Sequence, residues 1–555
     1  MSSTRVTARK GMAAKASVQS TVSSAAPPGA LASRRDFLRA AVVGTATLSL
    51  APARFFAVEA SRRTSGALAI DLSQPGVRFN RMLFGQFLEH FHRQVYGGVF
   101  DPGSPLADER GFRKDVIVAL RQLQVPIVRW PGGCFVSSYH WKEGVGRDRR
   151  SSFDKAWGVE DPNTFGTDEY VLWCRAIGAE PYICTNAGTG TPEEMSDWVE
   201  YCNLKDQGRY AHLRQANGFA EPHRVQYWSV GNENYGAWEI GAKTVAEWGE
   251  MVRESAKMMR AVDPSIKLLA AATADRDWTL PLLKQAGHLL NYVSIHGYWD
   301  PLWARNEPAD YLRCMIRSAE PEQAIVNTLK IIEEAGLKDR VKIAYDEWNL
   351  RGWHHPGFPG GGALQDLIRQ RDKNDLNETY TLADAVFSAC FLNACLRQAE
   401  HVHMACMAPV VNARGPLFVH PKGVVRRTTF HVLSLYAGLL QPTVLPVRLS
   451  CERLQNGDAS VPVVDATATL SDDRKRVTLA LVNRDPDRPV DLKVDLGGVP
   501  GLAKAKATSL AGDSPDAYND VTHPDRVQPE PREGVLKDGA LWLSPHSVNL
   551  VELTL

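Results

Sequence analysis

A chain of 555 residues exceeds one ordinary domain, and its 44% hydrophobic and 23% charged content belongs to a protein with packed globular cores. The net charge of +1 hides an uneven distribution, because the first 60 residues hold eight Lys/Arg against only Asp36 and Glu59. The remaining body is therefore mildly acidic, and no nucleic-acid partner is expected, since that would need a basic body rather than a basic tail.

The N-terminus accounts for the tail. SRRDFL (33–38) precedes a modest apolar stretch over 40–52, with small residues at Ala51, Ala53 and Ala60. That order predicts a twin-arginine signal peptide over 1–60, and hence a periplasmic or extracellular protein. The stretch is shorter than the roughly 20 residues that cross a bilayer, so no membrane association is expected after its removal. Nine cysteines with no regular spacing or close pairs argue against a disulfide framework.

From about residue 80, short apolar runs alternate with amphipathic stretches. The candidate strands are 83–88, 126–129, 181–185, 225–230, 267–271, 292–295, 341–345 and 403–407. Between them lie helical patterns such as 243–262, with Val245, Trp248, Met251, Val252, Ser255, Met258 and Met259 on one stripe. Eight strand–helix repeats over 79–430 predict a catalytic (β/α)8 TIM barrel, an α/β fold. Long insertions follow the second, sixth and seventh strands, at 137–164, 298–320 and 351–377. The last carries HHPGFPGGG (354–362), whose paired histidines lack acidic or thiol partners at ligand spacing, so neither metal nor cofactor is expected. After 430 the alternation in 477–483, 490–496 and 541–555 predicts a C-terminal antiparallel β-sandwich over 431–555. The segment 66–78 precedes the barrel and is expected to supply an N-terminal strand to that sandwich.

Two strand ends carry the chemistry. WSVGNEN (228–234) and IAYDEWN (343–349) each run from buried apolar residues into a carboxylic acid, Glu233 and Glu347. In a barrel both would reach the catalytic rim. A lone strand-end Glu is as readily a solvated loop residue, but two carboxylates on one rim are the equipment for glycosidic cleavage. Arg129 ends the second strand and offers a fork of donors for a carboxylate or a sugar hydroxyl. Glu89 ends the first strand, and Asn232 precedes Glu233, placed to donate to the hydroxyl beside the reacting carbon. His296 and Tyr298 end the sixth strand, where a phenol can hold a carboxylate in place. Cys134 follows the Pro-Gly-Gly turn and is read as a pocket-lining thiol beside Arg129, which would lower its pKa. Trp130, Trp238, Trp299, Trp348 and Trp353 lie near these segments, although core packing is the commoner use of any one of them.

GQFLEH (85–90), RWPGG (129–133), TGTPEE (189–194) with WVEYCN (198–203), GNE (231–233), HGY (296–298) and DEWN (346–349) occur in order. On these motifs 66–555 resembles glycoside hydrolase family 51, the α-L-arabinofuranosidases. The resemblance implies a barrel with its acid/base on strand four and its nucleophile on strand seven, Glu233 and Glu347, followed by a β-sandwich. It implies a substrate pocket for a terminal furanose lined by Glu89, Arg129, Asn232 and Tyr298, with Cys134, Trp238 and His296 beside them. The expected substrate is an arabinose-containing poly- or oligosaccharide, and the family is often homo-oligomeric. Cys134 stands where many relatives have Asn, and Pro409 where many have Gln, so the sugar is less firmly implied than the reaction. Still open are a furanosidase for another sugar, a β-glycosidase or endoglucanase on the same scaffold, and a non-catalytic carbohydrate-binding protein.

Overall fold

The computed structural model describes residues 64–305, 307–353, 373–497, 505–532, 536–537 and 540–555. The predicted signal region and the histidine-bearing loop 354–362 lie outside them. Among the described residues no helix is long and apolar enough to cross a membrane.

Eight parallel strands close into a barrel: Gly85–Phe87, Ile127–Trp130, Glu180–Thr185, Tyr227–Val230, Lys267–Ala271, Tyr292–Asp300, Lys342–Arg351 and Val402–Met407. These are the eight sequence-read runs, with the sixth and seventh longer than expected. Alternation along each strand separates two cores. Phe87, Ile127, Tyr182, Leu269, Ala344 and Met404 pack together in one cluster, while Val128, Ile183, Trp228 and Val293 belong to the larger core that includes residues of the surrounding helices. The helix Val245–Val262 begins with a capping box from Thr244 and Glu247 and buries Trp248, Val252, Ser255 and Met259. Met258, expected on that buried stripe, is exposed.

Register shifts interrupt the pairing of the sixth and seventh strands between Ser294 and His296, and of the seventh and eighth between Tyr345 and Trp348. Such bulges re-aim side chains. Here they let the adjacent residues Asp346 and Glu347 both reach Arg129, which regular alternation would forbid.

The sandwich has a seven-stranded and a five-stranded sheet. The segment read as one N-terminal strand is two: Thr64–Ile70 lies between Val447–Cys451 and Val490–Asp495, whereas Val77–Arg78 pairs with Thr443–Leu445 of the other sheet. The expected boundary at 430 falls inside the helix Thr428–Leu439, and the sandwich strands begin at Thr443. Cys390 and Cys395 are buried in the helix Leu382–Arg397, and all nine cysteines are free.

Where that helix meets the sandwich, Asp465 accepts from Asn393 at 2.7 Å and Arg397 at 3.0 Å, and also from the buried Arg484. Removing one partner of a buried ionic network leaves the others uncompensated. Asp465→Ala should therefore lower the unfolding free energy by about 3–5 kcal/mol, measured by chemical denaturation. A loss below about 1 kcal/mol, the value of an exposed pair, would show that the network does not hold barrel and sandwich together.

Candidate active site

The site is built around Arg129, fully buried at the end of the second barrel strand. Its Nη1 donates to Glu347 Oε2 at 2.6 Å, its Nη2 to Asn232 Oδ1 at 2.7 Å, and its Nε lies 3.5 Å from Asp346 Oδ2. A planar guanidinium fixes the directions of its donors, so one residue aligns groups from the fourth and seventh strands. Asp346 is held further by Tyr182 and Ser294, each at 2.6 Å. Burial works against its charge, but Arg129 and His296 outweigh burial and hold it down at about 2. It is thus a permanent anion beneath the site.

Glu347 receives a second donor from above, Tyr298 Oη at 2.7 Å from Oε1. Glu233 accepts from Tyr235 Oη at 3.1 Å and Trp238 Nε1 at 2.9 Å, and its Oε1 lies 2.9 Å from His296 Nδ1. One oxygen of Glu233, one of Glu347 and a ring nitrogen of His296 all lie within 4.8 Å of one another. Burial disfavours the His296 cation, but Glu347, Asp346 and Glu233 raise it to about 10. Burial would raise Glu233, yet that cation holds it below the ordinary carboxylate range. The proton of this pair therefore resides on the imidazole.

Two close approaches need glycine. Gly132, at φ +148°, lies where an added Cβ would be 2.3 Å from Glu89 Cγ; Gly231, at φ +67°, would meet Asn234 Oδ1 at 2.2 Å. The first lets Glu89 turn beneath the loop, where its Oε1 accepts from the backbone N–H groups of Gly133 and Phe135 and from Trp157 Nε1. Burial, then the nearby Glu347, raises Glu89 to about 8. The second aims the Asn232–Glu233 pair into the barrel mouth.

The structure thus gathers every expected residue, Glu89, Arg129, Cys134, Asn232, Glu233, Trp238, His296, Tyr298 and Glu347, at one end of the barrel. A cleft of about 630 Å³ opens there; Cys134, Glu233, Trp238, His296 and Tyr298 line it, with Trp299 and Trp353. Trp130 and Trp348 are core residues. Several cleft residues gave no sequence signal. Trp157 comes from the hairpin of Ser152–Asp154 and Val159–Asp161, and Trp303 follows the sixth strand. Glu239 is buried and accepts from Asn232 Nδ2 at 3.2 Å and from Ser137 Oγ; burial raises it to about 7. Its only sequence mark is a place six residues beyond Glu233.

An (β/α)8 barrel with two carboxylates facing across one rim defines a glycoside hydrolase by site and fold. Family models reach the same class in two stretches: the α-L-arabinofuranosidase 1 domain over 119–315 and the α-L-arabinofuranosidase C-terminal domain over 346–547. The α-L-arabinofuranosidase C of Emericella nidulans is 34% identical over 472 residues, covering 80% of this chain and 88% of that protein. An intracellular exo-α-(1→5)-L-arabinofuranosidase of Streptomyces lividans is 34% identical, covering 85% and 73%. The crystal structure of the Thermotoga maritima α-L-arabinofuranosidase in complex with arabinose superposes with a TM-score of 0.78 at 32% identity, covering 88% of this chain and all of that one. The chain belongs to the α-L-arabinofuranosidases of glycoside hydrolase family 51.

One expectation is corrected. Cys134 lines the cleft, but its thiol is not lowered by Arg129; burial, then Glu239, Glu89 and Glu233, push it up. It is therefore a neutral thiol at pH 7 and a poor nucleophile. Iodoacetamide should alkylate it more slowly at pH 7 than an exposed cysteine, and Cys134→Ser should keep substantial activity. Rapid alkylation at neutral pH would show that a thiolate is present.

Proposed function

We propose that this protein is a retaining, exo-acting α-L-arabinofuranosidase that removes terminal α-L-arabinofuranosyl residues from plant polysaccharide side chains or their oligosaccharides. One observation carries the mechanism: the Glu233 and Glu347 oxygens approach within 4.8 Å. Retaining enzymes place their carboxyl groups about 5–5.5 Å apart, whereas inverting ones leave about 6.5–9.5 Å for a water. The spacing supports direct attack.

In this reading Glu347, oriented by Arg129 and Tyr298, attacks the anomeric carbon and forms a glycosyl ester while Glu233 protonates the leaving oxygen. Glu233 then takes a proton from water as the ester is hydrolysed. For the first step the proton must sit on Glu233. It is held on His296, whose Nδ1 lies 2.9 Å from Glu233 Oε1, so the resting and reactive arrangements differ by one short proton transfer at unchanged total charge. Glu347 is the largest influence raising the imidazole; as its charge is consumed in attack, the imidazole becomes a weaker base and yields that proton more readily. Asn232, with its oxygen bound to Arg129, can present Nδ2 to the adjacent sugar hydroxyl. Glu89 and Cys134 would bound the sugar, and Trp238 would flank the leaving group.

With p-nitrophenyl α-L-arabinofuranoside, Glu347→Ala should abolish turnover. Glu233→Ala should keep cleavage of this good leaving group, lose about 10²–10⁴-fold on an unactivated arabinoside, and form arabinosyl azide when azide is added. NMR of the first-formed sugar should show the retained anomer. The inverted anomer, or equal losses without azide rescue, would overturn the assignment.

We also propose that residues 1–60 direct export, on the strength of Arg34-Arg35 ahead of the apolar stretch. Arg34→Lys with Arg35→Lys should hold active enzyme in the cytoplasm; unchanged fractionation would refute a twin-arginine route.

A further inference from the structure

Arg414 lies in the loop after the eighth barrel strand, 4% exposed, and no feature of the family motifs points to it. Its Nη2 donates to Tyr298 Oη at 3.2 Å. The guanidinium lies 4.9 Å from the Tyr298 ring centroid and 4.7 Å from that of Trp353. Its Nε and Nη1 are buried and find no hydrogen-bond partner among the described residues. A buried guanidinium carries a desolvation cost that its contacts must offset. Its placement is nevertheless well fixed, because Asn349 Nδ2, two residues beyond Glu347, donates to both Ala408 O at 2.8 Å and Arg414 O at 3.0 Å.

The donor inventory gives this contact a direction. Arg has donors only, and a phenol has one hydrogen. When the Tyr298 oxygen accepts from Arg414, its own hydrogen is directed to Glu347 Oε1, 2.7 Å away. The hydroxyl cannot then turn to accept from some other donor and leave Glu347 facing a lone pair. A positive charge behind the phenol also strengthens the hydrogen bond it donates.

We propose that Arg414 is a positioning residue that acts through Tyr298, fixing the phenol as a hydrogen-bond donor to the Glu347 carboxylate. That bond helps the carboxylate depart when the glycosyl ester is hydrolysed, so losing Arg414 slows turnover rather than weakening sugar binding. The inference rests on Glu347 being the nucleophile.

The test is a double-mutant cycle on p-nitrophenyl α-L-arabinofuranoside with Arg414→Met, Tyr298→Phe and the double variant. Arg414→Met should lower kcat about 10–100-fold, the effect of one hydrogen bond to a charged group, with KM unchanged or lower as the ester accumulates. Arg414→Lys, which keeps charge and a donor, should recover part of the loss. In the Tyr298→Phe background Arg414→Met should cost nothing further, since the group it acts through is gone. Where melting shows that the Met variant is unfolded, Arg414→Gln enters the same cycle. Wild-type kcat in the single variant, an equal loss in both backgrounds, or a loss confined to KM would each overturn the proposal. An active Glu347→Ala enzyme would instead overturn the nucleophile assignment on which it rests.

Discussion

A buried guanidinium is costly unless its charge is answered, and the charge of Arg129 is answered by the reacting apparatus itself. Glu347, Asn232 and Asp346 all converge on it, so the fourth and seventh strands are locked together at the point where their side chains must cooperate. The same interaction sets the charge state of the floor. With Asp346 held as an anion at about 2, the imidazole above it is drawn into the cationic form, and the Glu233 proton is parked one hydrogen bond away. Remove the guanidinium and three carboxylates would crowd one small volume with a single imidazolium between them. The barrel supplies position, but Arg129 makes those positions electrostatically compatible.

The division between acid and nucleophile follows from what surrounds each carboxylate. Glu347 is gripped on both oxygens by fixed donors, Arg129 and Tyr298, which suits a group that must hold one orientation and then leave as an anion. Glu233 has donors borne on Tyr235, Trp238 and His296, and the last, a cation, holds a proton it can pass to the carboxylate. Glu89 and Glu239, raised to about 8 and 7, are buried neutral or half-ionised carboxyls packed behind the cleft. Their raised values spare the neighbourhood of Glu347 two further full negative charges.

The barrel was legible because its strands are buried on both faces and read as continuous apolar runs between helical patterns. The strand ends that carry Glu89, Arg129, Glu233, His296, Tyr298 and Glu347 are legible together rather than singly, since several polar residues closing such runs at one barrel rim have few uses besides a site. The bulge that turns Asp346 and Glu347 to the same side was not. It is a fault of register between strands, and no local composition announces it. Trp157 was hidden differently: its hairpin lies inside a long insertion with no periodicity, and only folding carries its Nε1 to Glu89. The thiol of Cys134 lines the cleft, but its electrostatics are not legible from its neighbours in sequence. Sequence proximity to Arg129 suggested a lowered pKa, whereas that guanidinium is committed elsewhere and the thiol faces carboxylates.

The loop beyond the eighth strand shows how a site can be tuned without altering its reacting groups. Pro409 lies in this loop, and proline brings neither a side-chain donor nor an N–H. Five residues on, Arg414 returns a donor to the same end of the barrel, aimed at the phenol that holds Glu347. Its Nε and Nη1, without a hydrogen-bond partner among the described residues, are a cost that packing between Tyr298 and Trp353 only partly offsets. A cost of that kind is borne most readily where strain serves the site. The backbone of this loop is fastened by Asn349, on the strand that bears Glu347 itself. Any shift of that strand would therefore carry nucleophile and loop anchor together, so that Arg414 follows Glu347 as the carboxylate forms and releases its ester.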